Sequence, residues 1–119
     1  MKTPSASAHY SQCPSGHFCM WEHSSYGGMF HSTPGSVSNV GSWFNDRATS
    51  VWNRTSSWVT VYEHSNYQFQ YTCTPGASCV PYCIAFAPGS SDAAIEPLLN
   101  DAITSYRVGE KNPNCIVHN

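Results

Sequence analysis

The chain has 119 residues, a formal net charge of −2 and only 10% charged side chains, which is one domain's worth of polypeptide. Its basic residues, Lys2, Arg47, Arg54, Arg107 and Lys111, are scattered, which excludes the basic footprint of a nucleic-acid binder. No apolar run approaches membrane-spanning length, and Thr3-Pro4-Ser5 follows Met1-Lys2 where a leader would be apolar.

Residues 1–12 are small and polar and read as a loose arm, leaving 13–119 as the folded unit. From Cys13 onward, short alternating runs such as His17-Phe18-Cys19-Met20-Trp21 and Trp58-Val59-Thr60-Val61-Tyr62 are punctuated by Gly, Pro, Ser and Asn. That pattern predicts an all-β sandwich or barrel of short strands. One stretch, Ala93 to Asp101, has apolar spacing that suits one or two helical turns.

The chain also repeats itself. Trp21-Glu22-His23-Ser24-Ser25-Tyr26 aligns with Tyr62-Glu63-His64-Ser65-Asn66-Tyr67, and Asn45-Asp46-Arg47-Ala48-Thr49-Ser50 aligns with Asn100-Asp101-Ala102-Ile103-Thr104-Ser105. The repeat predicts one unit used twice, at about 13–56 and 57–119. The second copy carries a cysteine-rich insertion at 71–91.

The Asn-Asp-x-x-Thr-Ser loops combine a carboxylate, hydroxyls and backbone carbonyls, the hard oxygen donors calcium prefers. A plainer account makes them polar turns capped by Asn and Asp. Upstream, Trp21-x4-Tyr26-x-Gly28 forms an aromatic corner whose glycine admits positive φ.

With these residues in place, the chain resembles the βγ-crystallin superfamily, and more specifically the actinobacterial secreted proteins of peptidase inhibitor family I36. The resemblance rests on Cys13-Pro14-Ser15-Gly16-His17-Phe18-Cys19, on the Trp21-Glu22 corner and on the run from Asn45 to Asn53, and it spans residues 13 to about 109. It implies a disulfide-stapled sandwich of two Greek-key motifs with calcium held between them. It further implies carboxylates from Asp46 and Asp101, hydroxyls from Thr49, Ser50, Thr104 and Ser105, and backbone carbonyls from Arg47, Ala102, Glu22 and Glu63. Which of Thr49 or Ser50 binds stays open. With one carboxylate per loop, affinity is expected on the order of 10–1000 μM. Phe69 stands where the second corner should have glycine, and a bulky residue resists positive φ; the second hairpin is therefore expected to depart from the first.

Six cysteines in a short chain point to an oxidising compartment and disulfides, hence to secretion. Cys13 and Cys19 bracket a turn and are expected to pair. Among the rest, Cys79–Cys83 with Cys73–Cys115 is the first reading, and Cys73–Cys79 with Cys83–Cys115 is the alternative. On the first reading the disulfide-clipped loop Cys79-Val80-Pro81-Tyr82-Cys83, with Phe86 nearby, could enter a protease cleft, the role implied by the family's name.

The histidines, His9, His17, His23, His31, His64 and His118, have no zinc-protease spacing and read as exposed strand or turn residues. No Ser or Cys sits in a nucleophile context, so no enzyme is expected. Trp21 and Trp52 are predicted core, whereas Trp43 is the candidate for a glycan-facing surface. Asn53-Arg54-Thr55 is a glycosylation sequon. The resulting expectation is a secreted, monomeric calcium-binding module; the alternatives are a protease inhibitor and a binder of cell-wall polysaccharide.

Overall fold

A computed structural model describes residues 11–41, 48–73, 75–76, 79–95 and 103–119. Among the described residues ten strands follow one another: β1 (Phe18–His23), β2 (Gly27–Thr33), β3 (Ser50–Asn53), β4 (Val59–Tyr62), β5 (Tyr71–Cys73), β6 (Cys79–Pro81), β7 (Cys83–Phe86), β8 (Ser91–Asp92), β9 (Ser105–Val108) and β10 (Ile116–His118). They form a four-stranded sheet in the order β2-β1-β3-β8, a second in the order β10-β7-β4-β9, and a separate β5-β6 hairpin. No described helix is long and apolar enough to cross a membrane.

Strand alternation explains the layering. In β1, Phe18 and Met20 enter the main core; in β4, Val59 and Val61 meet them there, joined by Val51, Ile84, Phe86, Ile103 and Tyr106. Burying each such side chain contributes about 1.5–3 kcal/mol. The opposite faces of the same strands are also covered. Cys19 and Trp21 pack with Cys13 against Tyr26, Phe30 and Trp52. Tyr62 packs with Cys83 and Cys115 against Tyr67 and Phe69. Each sheet thus carries a small outer cluster closed by its own disulfide, Cys13–Cys19 on one and Cys83–Cys115 on the other.

The two motifs exchange edges. β8, from the second half of the chain, pairs with β3 of the first. In return, Val37 bridges to Tyr106 of β9. The exchange extends past the strands in matched bonds: Ser25 N–H donates to the Ala93 carbonyl (2.8 Å) and Asn66 N–H to the Ser38 carbonyl (2.9 Å). Likewise Ile95 N–H donates to the Thr49 carbonyl (2.7 Å) and Val40 N–H to the Thr104 carbonyl (2.8 Å). The fold is an all-β, disulfide-stapled sandwich of two Greek-key motifs. Ala93–Ile95 is not helical and lies against the first corner; the remainder of the expected helical stretch, 96–101, is outside the described residues.

The expected insertion at 71–91 is narrower in space. Trp21 pairs with Phe30, nine residues on, whereas Tyr62 pairs with Cys83, twenty-one residues on. The extra twelve residues hold the β5-β6 hairpin. β7 is core: Phe86 is fully buried and part of no loop, because Cys83–Phe86 pairs along the whole of β4.

One polar chain crosses from the second motif to the first. Tyr106 OH, fully buried, lies 2.8 Å from His31 Nε2 and 2.5 Å from Thr33 Oγ1. Thr33 Oγ1 donates to the Gly35 carbonyl, so the order that uses each proton once is His31 Nε2–H to Tyr106, Tyr106 O–H to Thr33, and Thr33 to Gly35. His31 is therefore no exposed histidine; burial pushes its pKa down and pushes that of Tyr106 up. His118 is also engaged, with Nδ1 3.8 Å from Asp92 Oδ2 and its ring beside Phe86.

Candidate functional site

Each Thr-Ser pair lies beside its own aromatic corner. Trp21 is in register with Ser50 and Tyr62 with Ser105. Thr49 N–H donates to the Trp21 carbonyl (2.8 Å) and Thr104 N–H to the Tyr62 carbonyl (3.0 Å). The serine hydroxyls latch the corners. Ser50 Oγ donates to the His23 carbonyl (2.7 Å) and accepts from Tyr26 N–H (3.1 Å). Ser105 Oγ does the same with His64 (2.6 Å) and Tyr67 (3.1 Å). Both serines are fully buried. Asp46, Arg47, Asp101 and Ala102 are outside the described residues, as is Trp43, on which the polysaccharide reading depends. Among the described residues no group of three or more His, Cys, Asp and Glu side chains could hold a metal.

The corners share one backbone despite Phe69. Ser25 and Asn66 take φ 56° and 59°, and Tyr26 and Tyr67 take φ 63° and 61°. They part afterwards. Gly28 has φ +80°, and a Cβ there would sit 2.5 Å from His23 Cδ2; glycine is required on both counts. Phe69 is not in the positive-φ region, and the chain leaves the sheet there to form the hairpin. Phe69 fills the place Phe30 holds in the first cluster: ring centroids are 5.2 Å apart for Trp21–Phe30 and 6.0 Å for Tyr62–Phe69. The divergence also changes the corner glutamates. Glu22 Oε1 accepts from Met29 N–H (3.2 Å). Glu63 Oε1 is buried without a hydrogen bond, 3.3 Å from His64 Nε2.

The cysteines correct the first sequence reading. The disulfides are Cys73–Cys79 and Cys83–Cys115, with no Cys79–Cys83 or Cys73–Cys115 bond. Cys73 and Cys79 face each other in register across β5 and β6, with Cα atoms 4.0 Å apart. Cys83, in β7, meets Cys115 just before β10, which lies alongside it. The segment 79–83 is consequently not a clipped loop. Cys79-Val80-Pro81 is strand β6, Tyr82 N–H donates to the Gln70 carbonyl (3.0 Å), and Cys83 is buried in the outer cluster. The clipped element is the hairpin closed by Cys73–Cys79. The sequence held one signal for this, since Cys13–Cys19 and Cys73–Cys79 share a separation of six.

β5 and β6 pair with each other and with no other described strand. The large hydrophobic residues most exposed among those described include two of this hairpin, Tyr71 at 52% and Val80 at 38%. Tyr71 is opposite Pro81, and Val80 is opposite Thr72 on the other face. The base is fixed by ring contacts running Tyr62–Phe69–Tyr71 and, one residue past Tyr82, by the Cys83–Cys115 bond. Tyr71 opens the insertion expected from sequence and Phe69 marks the expected departure of the second corner, whereas Thr72 was not singled out.

Of three remaining candidates, Trp21 is where the sequence placed it, whereas Trp52 and Asn53 are not. Trp21 is core; Trp52 is only half-buried, with the Arg54 guanidinium 4.7 Å above its ring. Asn53 is fully buried, its Nδ2 donating to the carbonyls of Ser57, Phe86 and Ala87. In the folded chain that amide is fully engaged, so a glycan attached there would be incompatible with this packing.

The fold is shared with solved βγ-crystallin domains. A structure solved to trace the evolution of the eye lens βγ-crystallin domain fold matches at 19% identity and TM-score 0.66, covering 83% of this chain and 91% of that one. A βγ-crystallin from an archaeon matches at 18% identity and TM-score 0.55, covering 80% and 99%. One from Ciona intestinalis matches at 16% and 0.54, covering 78% and 99%. No curated protein matches the sequence. The family model of peptidase inhibitor family I36 matches residues 6–79, more than half of the chain. With its βγ-crystallin sandwich and this match through the first corner to Cys79, the chain belongs to peptidase inhibitor family I36.

Proposed function

We propose that this protein is a secreted protease inhibitor with no chemical turnover, and that the β5-β6 hairpin is its protease-binding element. The observation that carries the reading is the hairpin itself. Among the described residues it is a departure of the second motif from the first, alongside the added strand β10, and it projects paired strands whose outer edges have no described partner. Proteases that take substrates in extended form read backbone N–H and C=O groups along such an edge. The disulfide and the aromatic base hold the hairpin in shape before binding, which lowers the ordering cost of association. Tyr71 and Val80 supply exposed apolar side chains for the protease's pockets.

The test is inhibition of a panel of secreted metallo-, serine and cysteine proteases by the oxidised protein. Inhibition of at least one is expected, with Tyr71→Ala and Val80→Ala each raising Ki by about tenfold or more, the loss of one buried side chain's worth of contact, and leaving Tm in place. Absence of inhibition across the panel, or inhibition indifferent to both substitutions, overturns the reading.

Calcium between the motifs is the second reading. It is favoured by the matched placement of Thr49 beside the Trp21-Glu22 corner and of Thr104 beside Tyr62-Glu63. Calcium would supply charge neutralisation and rigidity across the exchanged edges. A site filled to ~100 times its Kd adds about 2.7 kcal/mol of stability. Calorimetric titration of chelator-stripped protein is expected to show binding in the range of extracellular modules, weakened by Asp46→Ala, Asp101→Ala, Thr49→Ala and Thr104→Ala. No heat and no rise in Tm at millimolar calcium would remove this reading and leave the inhibitor reading standing.

A further inference from the structure

The three disulfides occupy two different environments. Cys13 and Cys19 are at most 1% exposed, Cys83 is fully buried and Cys115 is 8% exposed, all four inside the outer clusters. Cys73 and Cys79 are both exposed, on a hairpin with no buried described residue. Thiol–disulfide exchange needs a thiolate to reach a disulfide sulfur, so access separates the three bonds. The consequences of cleavage differ as well. Opening either cluster bond requires disturbing packed aromatic rings, whereas β5 and β6 form their own sheet and contribute nothing to the main core.

We infer that Cys73–Cys79 is a selectively reducible bond and that its reduction opens the hairpin while the sandwich stays folded. A dithiol reductant supplies the two electrons. Its thiolate attacks the sulfur of Cys73 or Cys79, breaking the S–S bond and forming a mixed disulfide. Its second thiolate then displaces the protein sulfur. The reductant leaves as a cyclic disulfide, and both cysteines end as thiols after taking up protons. Without the clip, the β5-β6 pairing is a short isolated two-stranded hairpin, which is marginal in water. In its effect on inhibition the switch rests on the reading of the hairpin as the protease-binding element; its chemistry rests on accessibility alone.

The experiment is brief treatment of the native full chain with limiting dithiothreitol, followed by alkylation, peptide mass mapping, hydrogen exchange and a melting curve. Label is expected at Cys73 and Cys79 at least tenfold faster than at the other four. Protection is expected to fall at residues 71–81 only, and Tm to stay within about 3 °C of the oxidised form, a shift that for a domain this size corresponds to about 0.75 kcal/mol. Equal labelling of the three pairs, label appearing only with loss of the melting transition, or an unchanged hairpin after labelling would each overturn the inference. A Cys73→Ser/Cys79→Ser variant must reproduce the exchange pattern of the reduced form. If the oxidised protein inhibits no protease, the functional reading fails while labelling and exchange still decide the switch. If it does inhibit, reduction is expected to weaken inhibition at least tenfold, and full retention of inhibition overturns the switch.

Discussion

Ser50 Oγ donates a 2.7 Å hydrogen bond to the carbonyl of His23, and the same hydroxyl accepts from the N–H of Tyr26. The corner turns there through two left-handed residues, Ser25 and Tyr26, a backbone that side-chain-bearing residues adopt only when the surroundings fix it. Ser105 fixes the second corner in the same way. Ser50→Ala and Ser105→Ala should therefore each cost about 1–2 kcal/mol, because a buried hydroxyl that joins a carbonyl to an N–H is lost. Urea denaturation checks this, and Thr49→Ala, one residue earlier but outside the latch, should cost less.

Asn53 should act as a structural residue. Its Nδ2 donates to three carbonyls, and its Oδ1 accepts from the N–H and Oγ1 of Thr55. Asn53→Ala is expected to cost about 2–4 kcal/mol, the scale for breaking a buried polar network. Secretion from a eukaryotic host should yield protein with no glycan at this sequon, read by intact mass.

His31 and Tyr106 predict stability that declines at both ends of the pH range. The folded-state pKa of His31 is lowered by burial, so the unfolded chain binds the proton more readily. Stability is complete above the ordinary histidine pKa of about 6.5 and falls as pH drops below it. The folded-state pKa of Tyr106 is raised by burial. Its contribution is complete below the ordinary tyrosine pKa of about 10 and declines above it. Tm against pH should show both slopes. His31→Gln should flatten the acid slope and Tyr106→Phe the alkaline one, and slopes unchanged by these substitutions would count against the assignment.

The Cys83–Cys115 bond joins residues 32 apart and closes the outer cluster around Tyr62. Loop-closure entropy gives a contribution of about 3–4 kcal/mol. Cys83→Ala/Cys115→Ala should lower global stability by that order in urea titration. The Cys73→Ser/Cys79→Ser variant should change it little, since freeing the hairpin raises the entropy of folded and unfolded chains alike.

Much of this molecule was legible in its residues. Alternation in Phe18–Trp21 and Val59–Tyr62 specified strands with two buried faces. The repeated Glu-His corners specified a duplicated unit, and the short spacing of Cys13 and Cys19 specified their bond. These are local signals, carried by residues a few positions apart, and the backbone's short-range geometry decides them. The Phe69 departure was legible as well, because positive φ at that position excludes a large side chain.

What the sequence left open depends on which distant segments lie side by side. The partner of Cys73 follows from β5-β6 register, and the partner of Cys83 from β10 running beside β7. The shared six-residue separation of Cys13–Cys19 and Cys73–Cys79 hinted at one pairing, but four cysteines allow three connectivities and only packing selects one. The structural role of Ser50 had the same character. Thr49 and Ser50 both offer a hydroxyl at adjacent positions, and alternation in β3 turned Ser50 inward to a corner twenty-four residues earlier in the chain. Sequence alone determined a stapled, twice-repeated β sandwich with a cysteine-rich insertion. Only the tertiary structure decided that the insertion is an exposed clipped hairpin, because strand pairing between remote segments, and the burial that follows from it, is a property of the folded chain.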